Sequence, residues 1–321
     1  MSAPTLGARE HVADGEILTD SEGHAFSLRP IRCPTCGIDE TRTLGMRGGP
    51  HHRWGLGIPT QIVRCRRCSL IYPNPFPYPV DPQELYSDPE SYFARHEGAA
   101  RLAEYRELVR RLIDACQTNR PSLLDVGSGR GDLLHAARLE GLNDPVGLEF
   151  ADAMVSYARD HHGVELLPLT IEQYAESHPR TFDGVVLNAI IEHVYDPDSF
   201  VASVARLTRP GSVLYVDTPR EPHLLTWVGN AWSRLTRNDA VYNLSPTWPP
   251  YHVFGFSPKA LRILLGKHGF AVERVRVHSD PSIPARPELG DRLRAFAGVQ
   301  LNRVANLTHT ASNMYVWARR V

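Results

Sequence analysis

Three glycines alternate in the run Leu123-Leu124-Asp125-Val126-Gly127-Ser128-Gly129-Arg130-Gly131-Asp132, directly after an apolar stretch and directly before an amphipathic one. This pattern demands a strand that stops at an acid, a sharp reversal, and a helix that starts at once. Glycine permits the reversal because it has no Cβ, and for the same reason a ligand can lie against the backbone. The helix start adds unpaired N–H groups and a dipole that favour an anion. The dinucleotide-binding fingerprint spaces its glycines G-x-G-x-x-G. Here they occupy 127, 129 and 131, and its third glycine position is Asp132.

Around this run the apolar pattern alternates between periods of two and 3.6. Strands are expected at 122–127, 145–150, 164–168, 182–189 and 212–218, with helices at 131–140, 151–161 and 196–208 between them. Near-continuous apolar strands separated by helices indicate a parallel sheet covered on both faces. A helix at 257–268 and alternating segments at 271–278 and 312–319 then append an antiparallel pair. A helical stripe, Leu102, Tyr105, Leu108, Val109, Leu112, Ile113 and Cys116, leads in from 98 to 117, and Cys116 reads as core. Residues 221–255 and 281–311 are insertions into this frame.

Upstream, Cys33-Pro34-Thr35-Cys36 and Cys65-Arg66-Arg67-Cys68 form two C-x-x-C turns separated by 28 residues. Two such turns converge on one tetrahedral metal, with Cys33, Cys36, Cys65 and Cys68 as ligands. Zinc is expected, with a rubredoxin-like iron the alternative. A closed site of four thiolates is structural, and it folds a small lobe that lacks an adequate core of its own. His51 and His52 lie between the turns and read as loop residues within reach of a substrate. The organisation expected is an arm or peripheral hairpin at 1–29, a four-cysteine zinc-binding lobe at 30–75, and a linker and lead-in helix at 76–117. The linker is marked by Pro77, Pro79 and Pro82. The large domain at 118–321 carries a lid insertion at 221–255.

The chain of 321 residues has a formal charge of −1, 42% hydrophobic and 22% charged residues, an ordinary globular composition. Near-neutrality predicts no global attraction to phosphate backbones. Paired C-x-x-C spacing suits a reducing compartment better than disulfides. Neither a secretory signal over 1–20 nor an apolar run of membrane-spanning length is seen. A cytoplasmic protein without a membrane partner is the expectation.

The glycine loop resembles the Asp-x-Gly-x-Gly-x-Gly loop of class I S-adenosylmethionine (SAM) methyltransferases. Glu192-His193-Val194-Tyr195-Asp196-Pro197 and Arg209-Pro210-Gly211-Ser212 through Asp217-Thr218-Pro219 resemble phrases of the same family, which includes quinone-biosynthesis O-methyltransferases. The resemblance implies a Rossmann-like seven-stranded methyltransferase sheet, here with a zinc-ribbon-like lobe. It implies SAM as cofactor, held by Asp125, Gly127, Ser128, Gly129, Gly131, Glu149, Phe150, Thr170 and Asn188. Gly127 and Gly129 would take the methionine end, with Asp125 orienting the loop or receiving the ammonium. Glu149 at the tip of the second strand would accept from both ribose hydroxyls, and Thr170 would lie by the adenine. Asn188 to His193 would face the methyl group. A hydroxyl acceptor must lose a proton, so His193 and then His252 are candidate bases. The alternatives are that His193 bonds the backbone and that His252 packs the lid.

A four-cysteine lobe ahead of such a core resembles bacterial methyltransferases of deoxysugar, polysaccharide and secondary-metabolite pathways. The expected acceptor is therefore a small molecule, a sugar or secondary metabolite, methylated on oxygen or nitrogen. Trp227, Trp232, Tyr242, Trp248 and Tyr251 suit a ring-shaped acceptor or the packing of a lid. Sugar C-methyltransferases of this kind carry a further domain, and this chain stops at Val321 soon after the last expected strand. A second reading makes the lobe an RNA clamp through Arg42, Arg47, Arg53, Arg64, Arg66 and Arg67. A third, non-enzymatic reading is a zinc-ribbon binding protein with a vestigial cofactor fold, against which the complete set of Asp125, Gly127, Gly129 and Glu149 argues. The oligomeric state has no sequence signature.

Overall fold

A computed structural model describes residues 15–52, 54–86, 99–245, 249–279 and 289–321. Its centre is a six-stranded sheet built on the glycine-loop strand. That strand, β7 (Leu123–Val126), is buried along its whole length, including its acid. It runs parallel to β8 (Val146–Leu148) on one side and β9 (Phe182–Asn188) on the other. Next to β9 runs β10 (Thr208–Pro219), also parallel. The antiparallel β12 (Asn313–Arg320) inserts between β10 and the edge strand β11 (Phe270–His278). The expected alternation is met, with one difference. The 164–168 segment contributes a single parallel bridge, Leu148 to Leu167, rather than a seventh strand, because Leu169 N–H, the next donor in line for the ladder, turns back onto the Leu167 carbonyl at 2.8 Å.

Helices cover both faces. On one face α1 (Ala99–Cys116) and α2 (Asp132–Leu139) pack Val109, Leu112, Leu133 and Ala136 against Val186, Val213 and Tyr215. Next comes α3 (Asp152–His162), while α4 (Ile171–Ser177) lies on the opposite face, with Ile171 and Tyr174 in the core of Val201 and Val204. On the other face α5 (Pro197–Arg206) and, after α6 (Leu224–Leu235), α7 (Pro258–Lys267) bury Val201, Val204, Leu261 and Leu264. Local chemistry sets these starts. Asp196 and Ser257 accept from the first free N–H groups of α5 and α7, each followed by proline, the residue favoured at the first helical position. A last helix, α8 (Leu289–Leu307), lies in the second insertion.

The amino-terminal part forms two three-stranded antiparallel sheets. One is β1 (Ile17–Thr19), β2 (Ala25–Arg29) and β6 (Phe76–Pro79). The other is β3 (Thr41–Arg47), β4 (Thr60–Cys65) and β5 (Ile71–Pro73). They do not stand apart from the large sheet. Cys33, Cys65, Cys68, Tyr72 and Phe76 share one apolar core with Val126, Phe254 and Phe256, and the Phe76 and Phe254 rings stack at 5.1 Å. Ile71 and Gly255 exchange backbone hydrogen bonds of 3.1 and 2.8 Å. Gly45 passes so close to Asp239 that a Cβ there would lie 2.2 Å from its carbonyl oxygen.

Within the insertion expected as a lid, the carboxyl end is packed against the lobe. Tyr251, Val253 and Phe254 are buried, because this apolar run is the seam between the lobe and the sheet. Among the described residues no helix is long and apolar enough to cross a membrane.

Candidate active site

The carboxyl ends of β7, β8 and β9 converge on the glycine loop. Gly127, Gly129 and Gly131 all adopt left-handed φ values, of 70°, 52° and 75°, which alanine would adopt only under strain. A Cβ on Gly127 would also lie 2.7 Å from Ile190, so the loop presses on the segment that follows β9. Gly127 and Ser128 donate their N–H groups to the Leu148 carbonyl at 2.9 Å. Glu149 accepts from Gly129 N at 2.9 Å and from Ala151 N at 3.0 Å. The acid at the tip of β8 thus grips the loop and the start of α3 together.

Two carboxyls are buried here without a cationic partner among the described residues. Burial pushes Asp125 up to about 7, with Glu149 and Asp132 adding to the push and a Ser128 hydrogen bond opposing it. Burial also raises Glu149, against the backbone bonds it accepts. Two desolvated acids beside a loop that tolerates close approach suit a cationic ligand with vicinal hydroxyls. SAM has those features, so the residues fit the cofactor that the resemblance implies. Phe150 is half-buried with Tyr86 edge-on at 5.1 Å. The Thr170 hydroxyl accepts from Gln173 N at 3.3 Å in a capping box that starts α4, a helix-capping task that the sequence reading missed.

Beyond the loop, Asn188 donates to the Tyr105 hydroxyl at 3.1 Å, a partner 83 residues away that motif reading could not find. Glu192, His193 and His252 come together on the lobe side, with ligating atoms within 4.8 Å of one another, and this trio has the chemistry to hold a cation. The two imidazoles meet edge to face at 4.8 Å. His193 Nδ1 lies 3.0 Å from the Tyr251 carbonyl, which makes it the protonated nitrogen. Glu192 accepts from the Thr218 hydroxyl at 2.9 Å, and Arg47 donates to the His252 carbonyl at 3.1 Å. Burial pushes Glu192 up to about 8 and His193 down to about 4, and it drives His252 well below the usual histidine range.

The four cysteine sulfurs also lie within 4.8 Å of one another, Cys33 to Cys68 at 3.4 Å and Cys36 to Cys65 at 3.5 Å. Sulfurs ~2.3 Å from a tetrahedral zinc would be ~3.8 Å apart, so the set needs only slight expansion to hold one. The aromatic set does not gather into one pocket. Trp227, Trp232 and Tyr242 are exposed, Tyr251 is buried with its hydroxyl 2.6 Å from Asp20, and Trp248 lies outside the described residues. His51 pairs with Asp239 at 2.8 Å. Arg47 is buried and unavailable to a phosphate, which removes one member of the proposed RNA clamp. Arg53 lies outside the described residues.

The buried groups predict a pH dependence of stability. Asp125, Asp217 and Glu221 are pushed up to about 7 and Glu192 to about 8, each chiefly by burial. For an acid raised in the folded state, stability is lost as pH climbs from the ordinary pKa to the folded one. His193 and His223 are held at about 4 by burial, so they cost stability as pH falls from ~6.5 towards 4. The two sets oppose each other below ~6.5, and above it only the acids act. The melting temperature of ligand-free protein should therefore fall by several degrees between pH 6.5 and 8 and then level off. A melting temperature that rises over that interval would contradict this account.

Residues 95–275, more than half of the chain, match the methyltransferase-domain family. The ubiquinone biosynthesis O-methyltransferase of Aliivibrio fischeri (strain MJ11) is 36% identical over 101 residues, 30% of this chain and 43% of the relative. That of Saccharophagus degradans is 32% identical over 110 residues, 33% of this chain and 46% of the relative. The chain thus spans less than half the length of these curated relatives. A SAM-dependent methyltransferase from Archaeoglobus fulgidus superposes with a TM-score of 0.47 at 19% identity, covering 75% of this chain and 100% of that one.

Proposed function

The chain belongs to the family of SAM-dependent methyltransferase domains, and from that premise we propose that it methylates an oxygen of a small-molecule acceptor. The observation that carries this reading is the Glu149 carboxylate locked onto the Gly129 N–H beside the buried, cation-free Asp125. SAM, when bound, supplies a methyl carbon already activated by its sulfonium. The protein's part is to hold the reacting atoms ~3 Å apart and in line. Glu149 is placed to accept from the ribose hydroxyls. Asp125, held near neutrality by burial, ionises against the ammonium. Ile190, pressed onto Gly127, shapes the passage between cofactor and acceptor.

Oxygen is preferred over nitrogen or carbon because the aligned relatives are named O-methyltransferases. A hydroxylated sugar or secondary metabolite is the acceptor class that a four-cysteine lobe ahead of this core resembles. Zinc on Cys33, Cys36, Cys65 and Cys68 is assigned a structural role, since four thiolates leave no open position for substrate.

The test is transfer of labelled methyl from SAM into a bacterial cell extract, fractionated into small metabolites, RNA and protein. Label in the small metabolites, lost on treatment that cleaves methyl ethers, is the expected result. Label in RNA alone would replace this reading with the nucleic-acid one, and that binding would weaken steeply with salt.

A further inference from the structure

Across the carboxyl end of the sheet, one row of side chains differs from the row beneath it. Asn188 of β9 pairs in register with Asp217 of β10, Asp217 with Tyr315 of β12, and Tyr315 with Arg276 of β11. Four adjacent strands therefore set these side chains abreast on one face, ~4.8 Å from strand to strand. Two residues down, the corresponding row on β9, β10 and β12 is Val186, Tyr215 and Trp317, which is core under α1. The polar row begins where that core ends.

Each member but one has a side-chain partner or is exposed. Asn188 bonds the Tyr105 hydroxyl, His278 stacks on Tyr315 at 4.0 Å, and Arg276 is exposed. The Asp217 carboxyl is half-buried between Asn188 and Tyr315 and makes no hydrogen bond among the described residues, while its own backbone carbonyl accepts from Ala189 N at 2.9 Å. A half-buried acid with no protein partner keeps its carboxyl open to solvent or to a ligand. Strand alternation also separates it from the histidines. Thr218, the next residue, faces the lobe side and bonds Glu192, whereas Asp217 shares the α1 face with Tyr215.

We propose that Asp217 is the catalytic base, taking the proton of the acceptor hydroxyl beside Asn188 on the α1 face of the sheet. The proposal rests on the methyl-transfer reading above. The acceptor oxygen bonds the methyl carbon as the carbon–sulfur bond breaks, and that electron pair stays on sulfur. The hydroxyl proton passes to the Asp217 carboxylate and from there to water. The histidines are poorer candidates, since both lie on the lobe side of the sheet, away from this row, and burial holds both rings well below neutrality. Burial instead pushes Asp217 up to about 7, close to the value that suits a base near neutral pH. The groups acting on this corner are Tyr105, Glu104 and Arg111 from α1, Tyr315 from β12, and Arg276 from β11.

The test compares wild type with Asp217→Asn and Asp217→Glu, using labelled SAM and the small-metabolite extract as acceptor. Asp217→Asn should lower transfer at least 100-fold while S-adenosylhomocysteine (SAH) affinity stays within about threefold. Asp217→Glu should recover part of the rate. The wild-type rate should rise through an inflection near pH 7 that Asp217→Asn lacks. Wild-type rates in Asp217→Asn, an unchanged inflection, or a loss of SAH affinity matching the loss of rate would each overturn the assignment. Active wild type with active Asp217→Asn removes only the base, whereas wild type that labels no fraction removes the methyl-transfer reading and the base with it.

Discussion

Replacing Glu149 with alanine is expected to weaken SAH binding about 100-fold while leaving the protein folded. The carboxylate has two tasks, and alanine removes both. Its oxygens accept from Gly129 N and Ala151 N, which fixes the loop at a left-handed turn and starts α3 at the right place. In the bound state it is placed to accept from two ribose hydroxyls. Charged hydrogen bonds contribute ~1.5–3 kcal/mol each, so losing their net effect on the ligand costs roughly 2.7 kcal/mol, or 100-fold. Glu149→Gln should lie between, because an amide oxygen can still accept one of these bonds. Titration calorimetry with SAH measures the change directly. An affinity within threefold of wild type in Glu149→Ala would mean the ribose sits elsewhere. A protein that no longer melts cooperatively would mean the acid is needed for the fold first.

The glycine loop and its acid were legible in the sequence because their geometry is local. Left-handed turns at 127, 129 and 131 require glycine, and an acid at the end of the next strand needs no distant partner to be noticed. Two C-x-x-C turns are equally local, and their sulfurs do converge. The proposed acceptor side was opaque for the opposite reason. Tyr105 meets Asn188 across 83 residues, and Arg47 reaches the His252 carbonyl across 205. Asp217 reads in sequence as one polar residue at a strand end. Only the register of four strands shows that it stands beside Asn188 and Tyr315. The run Tyr251-His252-Val253-Phe254-Gly255-Phe256 is ambiguous in sequence because an aromatic, glycine-containing stretch suits a lid as well as a seam, and sequence does not reveal the Ile71 backbone that pairs with it. The hydroxyl of Thr170 serves the helix it begins, a local task that the sequence pattern also leaves unmarked.

That seam sets the expected outcome of removing the zinc proposed for the four cysteines. From sequence alone, chelation should disorder 30–75 and spare the cofactor site. The structure narrows what is spared. Cys65 and Cys68 lie in the same core as Phe254 and Phe256, and β5, which follows them, holds Gly255 by two backbone bonds. Val253 N donates to the Glu192 carbonyl at 2.9 Å, two residues from Ile190, which is proposed to shape the passage to the acceptor. Structural zinc contributes on the order of 10 kcal/mol to small domains, so its loss should release the lobe and with it 251–256. The glycine loop is anchored instead by Leu148 and Glu149, neither of which belongs to the lobe. Chelation, or the double change Cys65→Ser with Cys68→Ser, should therefore cut methyl transfer at least tenfold while SAH affinity changes less than about fivefold. Hydrogen exchange should accelerate at 60–73 and 251–256 together but not at 123–131. Exchange that speeds up across the glycine loop as well would show one cooperative unit. Exchange unchanged at 251–256 would show that the lobe hangs free of the sheet, and the shared core through Phe76 and Phe254 would then contribute little to holding the two parts together.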